Sequence, residues 1–140
     1  MNETTQEGEL TRQEKEWFIL KLLLTKEGRT YSNIKTEYDN NNITHQGKML
    51  SEGTIYNYIG HLVDMNLIKK IGKSPFKVYF SDVVKEIYEL VIENPINYDD
   101  LLSMNFHIVN LKDIIDILIN IKMMKIYHSN QKRIIKILKL

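Results

Sequence analysis

Cysteine is absent from the 140 residues of this chain. Its absence excludes disulfide bonds and thiolate metal sites, and it gives no sign of an oxidising compartment. Long apolar runs are absent too, since no stretch approaches the ~20 apolar residues of a membrane span. The first residues, MNETTQEGEL, are polar and acidic and lack the basic start and apolar run of a signal peptide. We therefore expect a cytoplasmic protein with no membrane partner.

Signatures of catalysis are equally scarce. The sequence has no glycine-rich phosphate loop, no nucleophile elbow and no kinase motif. Its four histidines have no paired spacing, and without cysteine they do not predict a metal site. They are His45, His61, His107 and His128. We expect a protein that is not an enzyme and uses no cofactor, metal or small-molecule ligand.

The composition is that of a soluble, folded protein. Hydrophobic residues make up 43% of the chain and charged residues 26%, which argues against wholesale disorder. The formal net charge is only +1, so the distribution of charge is more informative than its total. Residues 69–77 contain four lysines, residues 122–139 contain five lysines and one arginine, and neither range contains an acid. Both ranges are candidate basic surfaces.

Helix signals begin after a frayed tail predicted for residues 1–10. Thr11 and Glu14 have the spacing of a capping box, which predicts a helix that ends near Thr25. Thr30 or Ser32 caps a second, shorter helix.

A long connection over residues 39–50 precedes the next helix signal. Ser51 is a good N-cap residue, and the helix that follows carries an apolar stripe at helical spacing. The stripe consists of Ile55, Ile59, Leu62 and Val63. Asn66 then takes the left-handed position that ends the helix. Residues 67–71 and 76–80 are β-prone, and Gly72-Lys73-Ser74-Pro75 between them predicts a hairpin turn.

The same order of elements returns after Ser81. The predicted elements are a helix over 83–93, a short helix capped by Asn97, a helix over 111–123 capped by Asn110, and a hairpin that pairs 124–128 with 132–138. Sliding the chain by 56 positions superposes Leu62-Val63 on Leu118-Ile119 and Leu67-Ile68 on Met123-Met124. This weak repeat predicts two related units.

Residues 51–71, SEGTIYNYIGHLVDMNLIKKI, resemble the recognition helix and first wing strand of winged-helix transcription regulators. A capping Ser or Thr, an exposed polar face, a buried aliphatic stripe and a closing Leu-Ile recur in that superfamily. With the two preceding helices the likeness covers residues 10–80, although the connection before Ser51 is longer than usual. It implies an α+β fold, mainly α with small β-hairpins. The winged helix-turn-helix would occupy residues 11–80, and a second winged-helix-like unit would occupy residues 81–140.

The resemblance implies a sequence-specific double-stranded DNA-binding protein, most simply a transcription regulator, nucleoid-associated in a bacterial or archaeal cell. Helical phase supports a groove-facing surface, because four polar residues lie opposite the apolar stripe. These predicted base-reading residues are Thr54, Asn57, Tyr58 and His61. Asn suits adenine, and Thr, Tyr and His can bond to bases or phosphates. The predicted contacts to the DNA backbone are Ser51, Lys48, Lys69, Lys70, Lys73 and Lys77.

The second unit differs at the corresponding positions. The 56-residue shift places Asn110, Asp113, Ile114 and Ile117 there, and this acidic and apolar surface is not expected to read bases. Ile114, Ile117 and Ile121 are therefore predicted either to meet a partner, which is the first unit or a second chain of a homodimer, or to form ordinary core. The basic C-terminal hairpin, ending at Lys139, is a further candidate for phosphate contacts.

Two other functions stay open at this point. Tandem winged helices also occur in protein-interaction scaffolds that never touch DNA, and in replication or partition factors. A ligand pocket around Tyr88, Tyr98 and Phe106 is a weaker alternative, because aromatic residues in a small core need no ligand to explain them.

Overall fold

The computed structural model describes residues 9–104, 106 and 110–138 of the chain. These residues form an α+β fold of six helices and three small antiparallel sheets. They divide into two compact units. Unit 1 runs to Asp64 and includes Ile68–Phe80, whereas unit 2 takes Met65–Leu67 and the chain from Ser81 onward.

Helix α1, Arg12–Thr25, begins at the predicted capping box. The Glu14 amide donates to Thr11 Oγ1 over 3.2 Å, and the Thr11 amide donates to Glu14 Oε1 over 2.9 Å. Of the predicted tail, residues 1–8 lie outside the described residues. Glu9 is not frayed, since its carboxylate accepts a hydrogen bond from the Gln46 amide over 2.6 Å.

Strand β1, Arg29–Thr30, and helix α2, Tyr31–Asn40, follow, and the hydroxyl of Thr30 caps α2 by accepting from the Asn33 amide. The predicted long connection over residues 39–50 is wrong in part, because it contains a hairpin. Strands β2, Thr44–His45, and β3, Lys48–Met49, pair across Gln46 and Gly47. Both turn residues have positive φ, 54° and 81°, as a two-residue hairpin turn requires.

Helix α3, Glu52–Asp64, leads into strands β4, Ile68–Ile71, and β5, Lys77–Phe80. This hairpin was predicted to within one residue. Asn66 has a φ of 62°, which confirms its predicted left-handed position. Strand β1 pairs with β5, which gives a three-stranded sheet of order β1-β5-β4.

Unit 2 has the same order of helices and sheet strands. Its elements are α4 (Asp82–Glu93), β6 (Ile96–Asn97), α5 (Tyr98–Ser103), α6 (Leu111–Asn120), β7 (Met124–Ser129) and β8 (Lys132–Ile137). The sheet order is β6-β8-β7, so the two-residue strand again pairs with the second strand of the hairpin. The shift of 56 positions carries the left-handed Asn66 onto Lys122, which has a φ of 71°.

One predicted helix cap in unit 2, Asn110, lacks the expected side-chain hydrogen bond. Asn110 precedes α6 but makes no side-chain capping hydrogen bond. Its amide Nδ2 instead donates to the backbone oxygen of Met65 over 2.9 Å. Asn97, by contrast, caps α5 as predicted, because its Oδ1 accepts from the Asp99 and Asp100 amides.

Candidate nucleic-acid interface

Helix α3 starts where the sequence predicts. The hydroxyl of Ser51 accepts a hydrogen bond from the Thr54 amide over 3.1 Å, and the Ser51 carbonyl accepts from the Ile55 amide. The Ser51 side chain is exposed, as a contact to the DNA backbone requires. Its oxygen lies 2.8 Å from the Thr54 hydroxyl, so these two polar groups are held together at the start of the helix.

The buried face of α3 is rotated slightly from the predicted stripe. Ile55, Ile59 and Leu62 are buried as expected, but the fourth buried residue is Tyr58 rather than Val63. Tyr58 is only 6% exposed, and its ring lies 6.3 Å from the ring of Tyr38. The prediction that Tyr58 lies on the exposed face to read bases is therefore wrong. A tyrosine ring buries a large apolar area, and here it fills the core beside α2.

The exposed face of α3 carries Asn57 near its centre. Asn57 and His61 are exposed, and Thr54 is half-buried beside them. Gly53 and Gly60 lie on the same face, and a Cβ built on either meets no other atom within 4 Å. Two exposed acids, Glu52 and Asp64, lie at the two ends of α3.

Tyr56 is the aromatic residue that sequence reasoning missed on this face. It is 43% exposed and stacks on Tyr31 of α2, with ring centroids 4.2 Å apart and an angle of 6° between the planes. On its other side the ring of Phe76 lies 6.4 Å away, and Lys70 Nζ lies 5.2 Å from the centre of that ring. Tyr56 therefore joins α3 to the start of α2 and to the β4–β5 hairpin. Helical phase did not reveal this role, because it assigned the exposed position to Tyr58, two residues later.

The β4–β5 hairpin carries the predicted lysines. Lys70, Lys73 and Lys77 are exposed, whereas Lys69 is half-buried. Gly72 at the turn has a φ of 93°, and a Cβ there would lie 3.0 Å from the backbone oxygen of Pro75. The tight turn therefore requires glycine, and Lys73 lies beside it at the tip of the hairpin.

A cleft of about 490 Å³ lies along the other side of α3. Thr54, Asn57 and Tyr58 form its α3 wall. The start of α1 and the β2–β3 hairpin form the remaining walls, with the charged side chains Glu9, Arg12, Lys15 and Lys48 and the imidazole of His45. Lys48 is exposed, as a backbone contact requires. Arg12 was not predicted, and no local pattern could have found it, because only the fold brings α1 to this place.

Two of these charged side chains, Glu9 and Lys15, form an ion pair with each other. Lys15 Nζ lies 3.4 Å from Glu9 Oε2, and both side chains are nearly buried. Burial alone raises the pKa of Glu9, but the hydrogen bond from Gln46 and the neighbouring Lys15 outweigh it and hold that pKa below its usual value. Glu9 is therefore an anion at neutral pH.

His61 is tied to the protein at one of its ring nitrogens. Its Nδ1 lies 2.6 Å from Oε1 of Glu16, a buried carboxylate on α1. The His61 side chain is nevertheless 55% exposed. Its imidazole therefore combines an internal hydrogen bond with an accessible edge.

The surface predicted for a partner in unit 2 is not available. Ile114, Ile117 and Ile121 are buried in the single chain, with 0%, 8% and 2% of their surface exposed. The prediction that they meet a second chain is therefore wrong, because their side chains are covered within the chain itself. Their spacing on α6 is that of a core-facing stripe, because apolar positions at three- and four-residue steps share one helix face.

Several other polar residues of unit 2 are paired with one another or exposed. Asp116 accepts hydrogen bonds from the Tyr98 hydroxyl and from Lys112, each over 2.7 Å. Lys125, Lys132 and Arg133 of the β7–β8 hairpin are exposed, and Arg133 also binds Asp99 over 2.8 Å. Lys139, the predicted phosphate contact at the end of this hairpin, lies outside the described residues, as does His107.

Among the residues that the structure describes, no group of three or more His, Asp or Glu side chains is placed to hold a metal ion. None of the described helices is both long enough and apolar enough to cross a bilayer. No protein-family model matches the sequence, and no curated protein sequence is similar to it.

Proposed function

We propose that unit 1 is a winged helix that binds double-stranded DNA, with α3 in the major groove and the β4–β5 hairpin as the wing. Unit 2 would be a second winged helix that reads no bases. The observation that carries this proposal is the exposed face of α3, where Asn57 stands between two glycines with open space around them.

The two glycines need an explanation that the fold does not supply. Glycine inside a helix costs roughly 0.5–1 kcal/mol relative to alanine. Neither Gly53 nor Gly60 has a neighbour that a Cβ would touch, and neither has positive φ. Close approach of another molecule explains both residues, because a helix without side chains at these points can lie deeper in a groove.

The chemistry of the face suits the edges of bases. Asn57 offers a donor and an acceptor that match adenine in the major groove. Thr54 and the free edge of His61 flank it, and Tyr56 replaces Tyr58 as the aromatic residue beside the groove.

The hairpin supplies the charge that DNA affinity requires. Lys70, Lys73 and Lys77 are exposed on this hairpin. The hairpin lies beside α3, because the ring of Phe76 contacts the ring of Tyr56. Contacts of lysine with phosphate provide affinity without sequence preference, and they release counterions. We take a transcription regulator as the simplest process, and a homodimer as the form that would contact two half-sites.

A salt titration separates this function from that of a protein-interaction scaffold that does not touch DNA. Binding of the full chain to mixed duplex fragments is measured by fluorescence anisotropy at several salt concentrations. The proposal predicts a steep negative slope of log affinity against log salt, about −0.9 for each phosphate contacted. No binding to duplex at low salt would favour the scaffold.

A further inference from the structure

The β2–β3 hairpin occupies the connection between α2 and α3, and it exposes Lys48 and Met49, the latter by 65%. The carboxylate of Glu9 holds the amide of Gln46 at the hairpin tip, so the hairpin is fixed against the chain that leads into α1. This arrangement builds one wall of the cleft beside α3.

Among the described residues that line the cleft, positive charge is in excess. Glu9 is the only acid among them, and it already binds Lys15 and the Gln46 amide. Arg12 and Lys48 are both exposed and make no ion pair with any residue of the described ranges 9–104, 106 and 110–138. Within these ranges, two cations therefore line the cleft without a partner anion.

The position of the cleft matters as much as its charge. Tyr56 lies on the side of α3 that faces the β4–β5 hairpin, where Phe76 and Lys70 are its neighbours. Thr54 and Asn57 line the cleft on the opposite side. A helix in the major groove lies between two phosphate backbones, since the groove is only ~12 Å wide. Cations on both sides of α3 are then placed to meet one backbone each.

We propose that the cleft binds a backbone phosphate of DNA through Arg12 and Lys48, and that the β2–β3 hairpin is a second backbone-contacting arm opposite the β4–β5 hairpin. This inference rests on the proposed function and names the partner group of the cleft. The positive end of the α3 dipole at Ser51, on the cleft wall, adds to the attraction for an anion.

The test compares single variants on the same duplex. Lys48→Ala and Arg12→Ala remove the cleft cations, and Lys73→Ala removes a cation of the β4–β5 hairpin. Lys26→Ala is the matched control, because Lys26 is exposed at the opposite end of α1. Each cleft variant should reduce the magnitude of the salt slope by up to one phosphate contact, Lys73→Ala should reduce it by about one, and the control should leave the slope unchanged.

Ethylation interference adds a spatial readout. In the unaltered protein, modified phosphates should interfere on both strands that border the contacted groove. Lys48→Ala should lose interference on one strand, and Lys73→Ala should lose it on the other.

The outcomes separate the two proposals. If Lys48→Ala and Arg12→Ala behave like Lys26→Ala while Lys73→Ala weakens binding, the cleft inference fails and DNA binding stands. If the unaltered protein binds no duplex, both fail. Inorganic phosphate is the second ligand tested, with the NMR chemical shifts of the backbone amides of residues 46–51 as the readout. Saturable chemical-shift changes that added duplex does not reverse would identify a site for free anions and overturn the inference.

Discussion

His61 Nδ1 lies 2.6 Å from Oε1 of Glu16 and joins the exposed face of α3 to a buried carboxylate on α1. A side chain at the edge of the proposed DNA interface thus also stabilises unit 1. Loss of DNA binding in a His61 variant would therefore not by itself identify a base contact, and stability has to be measured beside it.

His61→Ala is expected to reduce the free energy of unfolding by about 1–3 kcal/mol, because it leaves the buried Glu16 carboxylate without its hydrogen bond to His61. Urea unfolding measures this change. The double variant Glu16→Ala, His61→Ala should lose clearly less unfolding free energy than the two single variants lose together, because each single change already removes the same hydrogen bond. Strict additivity would show that the 2.6 Å contact contributes no stability.

Gly60→Ala is expected to act in opposite directions on stability and binding. The unfolding free energy should rise by roughly 0.5–1 kcal/mol, because alanine is the better helix residue and its methyl group meets open space. Affinity for duplex DNA should fall, because that methyl group lies at the point of closest approach. Gln13→Ala, on the exposed face of α1, is the control and should leave affinity unchanged. Unchanged affinity in Gly60→Ala would remove the explanation given for the two glycines.

Tyrosine-to-phenylalanine changes at two positions should differ in sign. The Tyr31 hydroxyl is buried and has no hydrogen-bond partner among the residues described, so Tyr31→Phe should leave stability unchanged or raise it. The Tyr38 hydroxyl donates to the backbone oxygen of Lys15 over 2.5 Å, so Tyr38→Phe should lower stability by about 1 kcal/mol. Thermal unfolding of the two variants tests this pair. Equal losses would show that the Tyr31 hydroxyl has a partner after all.

The pH dependence of unit 2 should include a contribution from Asp116. Burial raises the pKa of Asp116, but Lys112 and Tyr98 outweigh it and hold that pKa below its ordinary value of 3.8. A carboxylate with a lowered folded-state pKa stabilises the protein above its unfolded-state pKa, and this stabilisation is lost as the pH falls through the folded-state pKa.

Asp116→Asn should therefore be less stable than the unaltered protein at neutral pH, and the difference should vanish as the pH falls through the lowered folded-state pKa of Asp116. The loss should be about 1 kcal/mol or less, because the side chain is 42% exposed and solvent screens its ion pair. Asp113→Asn, an exposed acid on the same helix, is the control and should change little at either pH. A difference that persists in acid would assign the effect to packing rather than to charge.

Local signals predicted most of the regular structure. Thr11, Ser51 and Asn97 cap helices in the structure because a short polar side chain before an apolar repeat is a signal within one turn of chain. The hairpins at β4–β5 and β7–β8 were likewise readable from turn residues between β-prone runs.

The missed elements depend on partners distant in sequence. Strands β1 and β6 have two residues each, too few to show alternation, and they exist only because β5 and β8 provide backbone hydrogen bonds. The β2–β3 hairpin turns through Gln46-Gly47, a weaker signal than Asn-Gly or Asp-Gly.

The candidate site was predicted only in part, because helical phase has limited resolution. Asn57 and His61 are exposed as expected, but Tyr56 and Tyr58 flank Asn57 symmetrically in the sequence. Which of the two tyrosines is buried is decided by the ring of Tyr38, which packs beside Tyr58. Arg12 joins the site through tertiary structure alone.

The most direct test of the account is the effect of Asn57→Ala on two duplexes, one selected from a random pool by the unaltered protein and one of random sequence. If α3 reads bases, the change should cost about 1–3 kcal/mol on the selected duplex and almost nothing on the random one. Lys73→Ala should weaken both duplexes alike. An equal loss on both duplexes for Asn57→Ala, or no loss on either, would contradict the central claim that this face of α3 recognises DNA sequence.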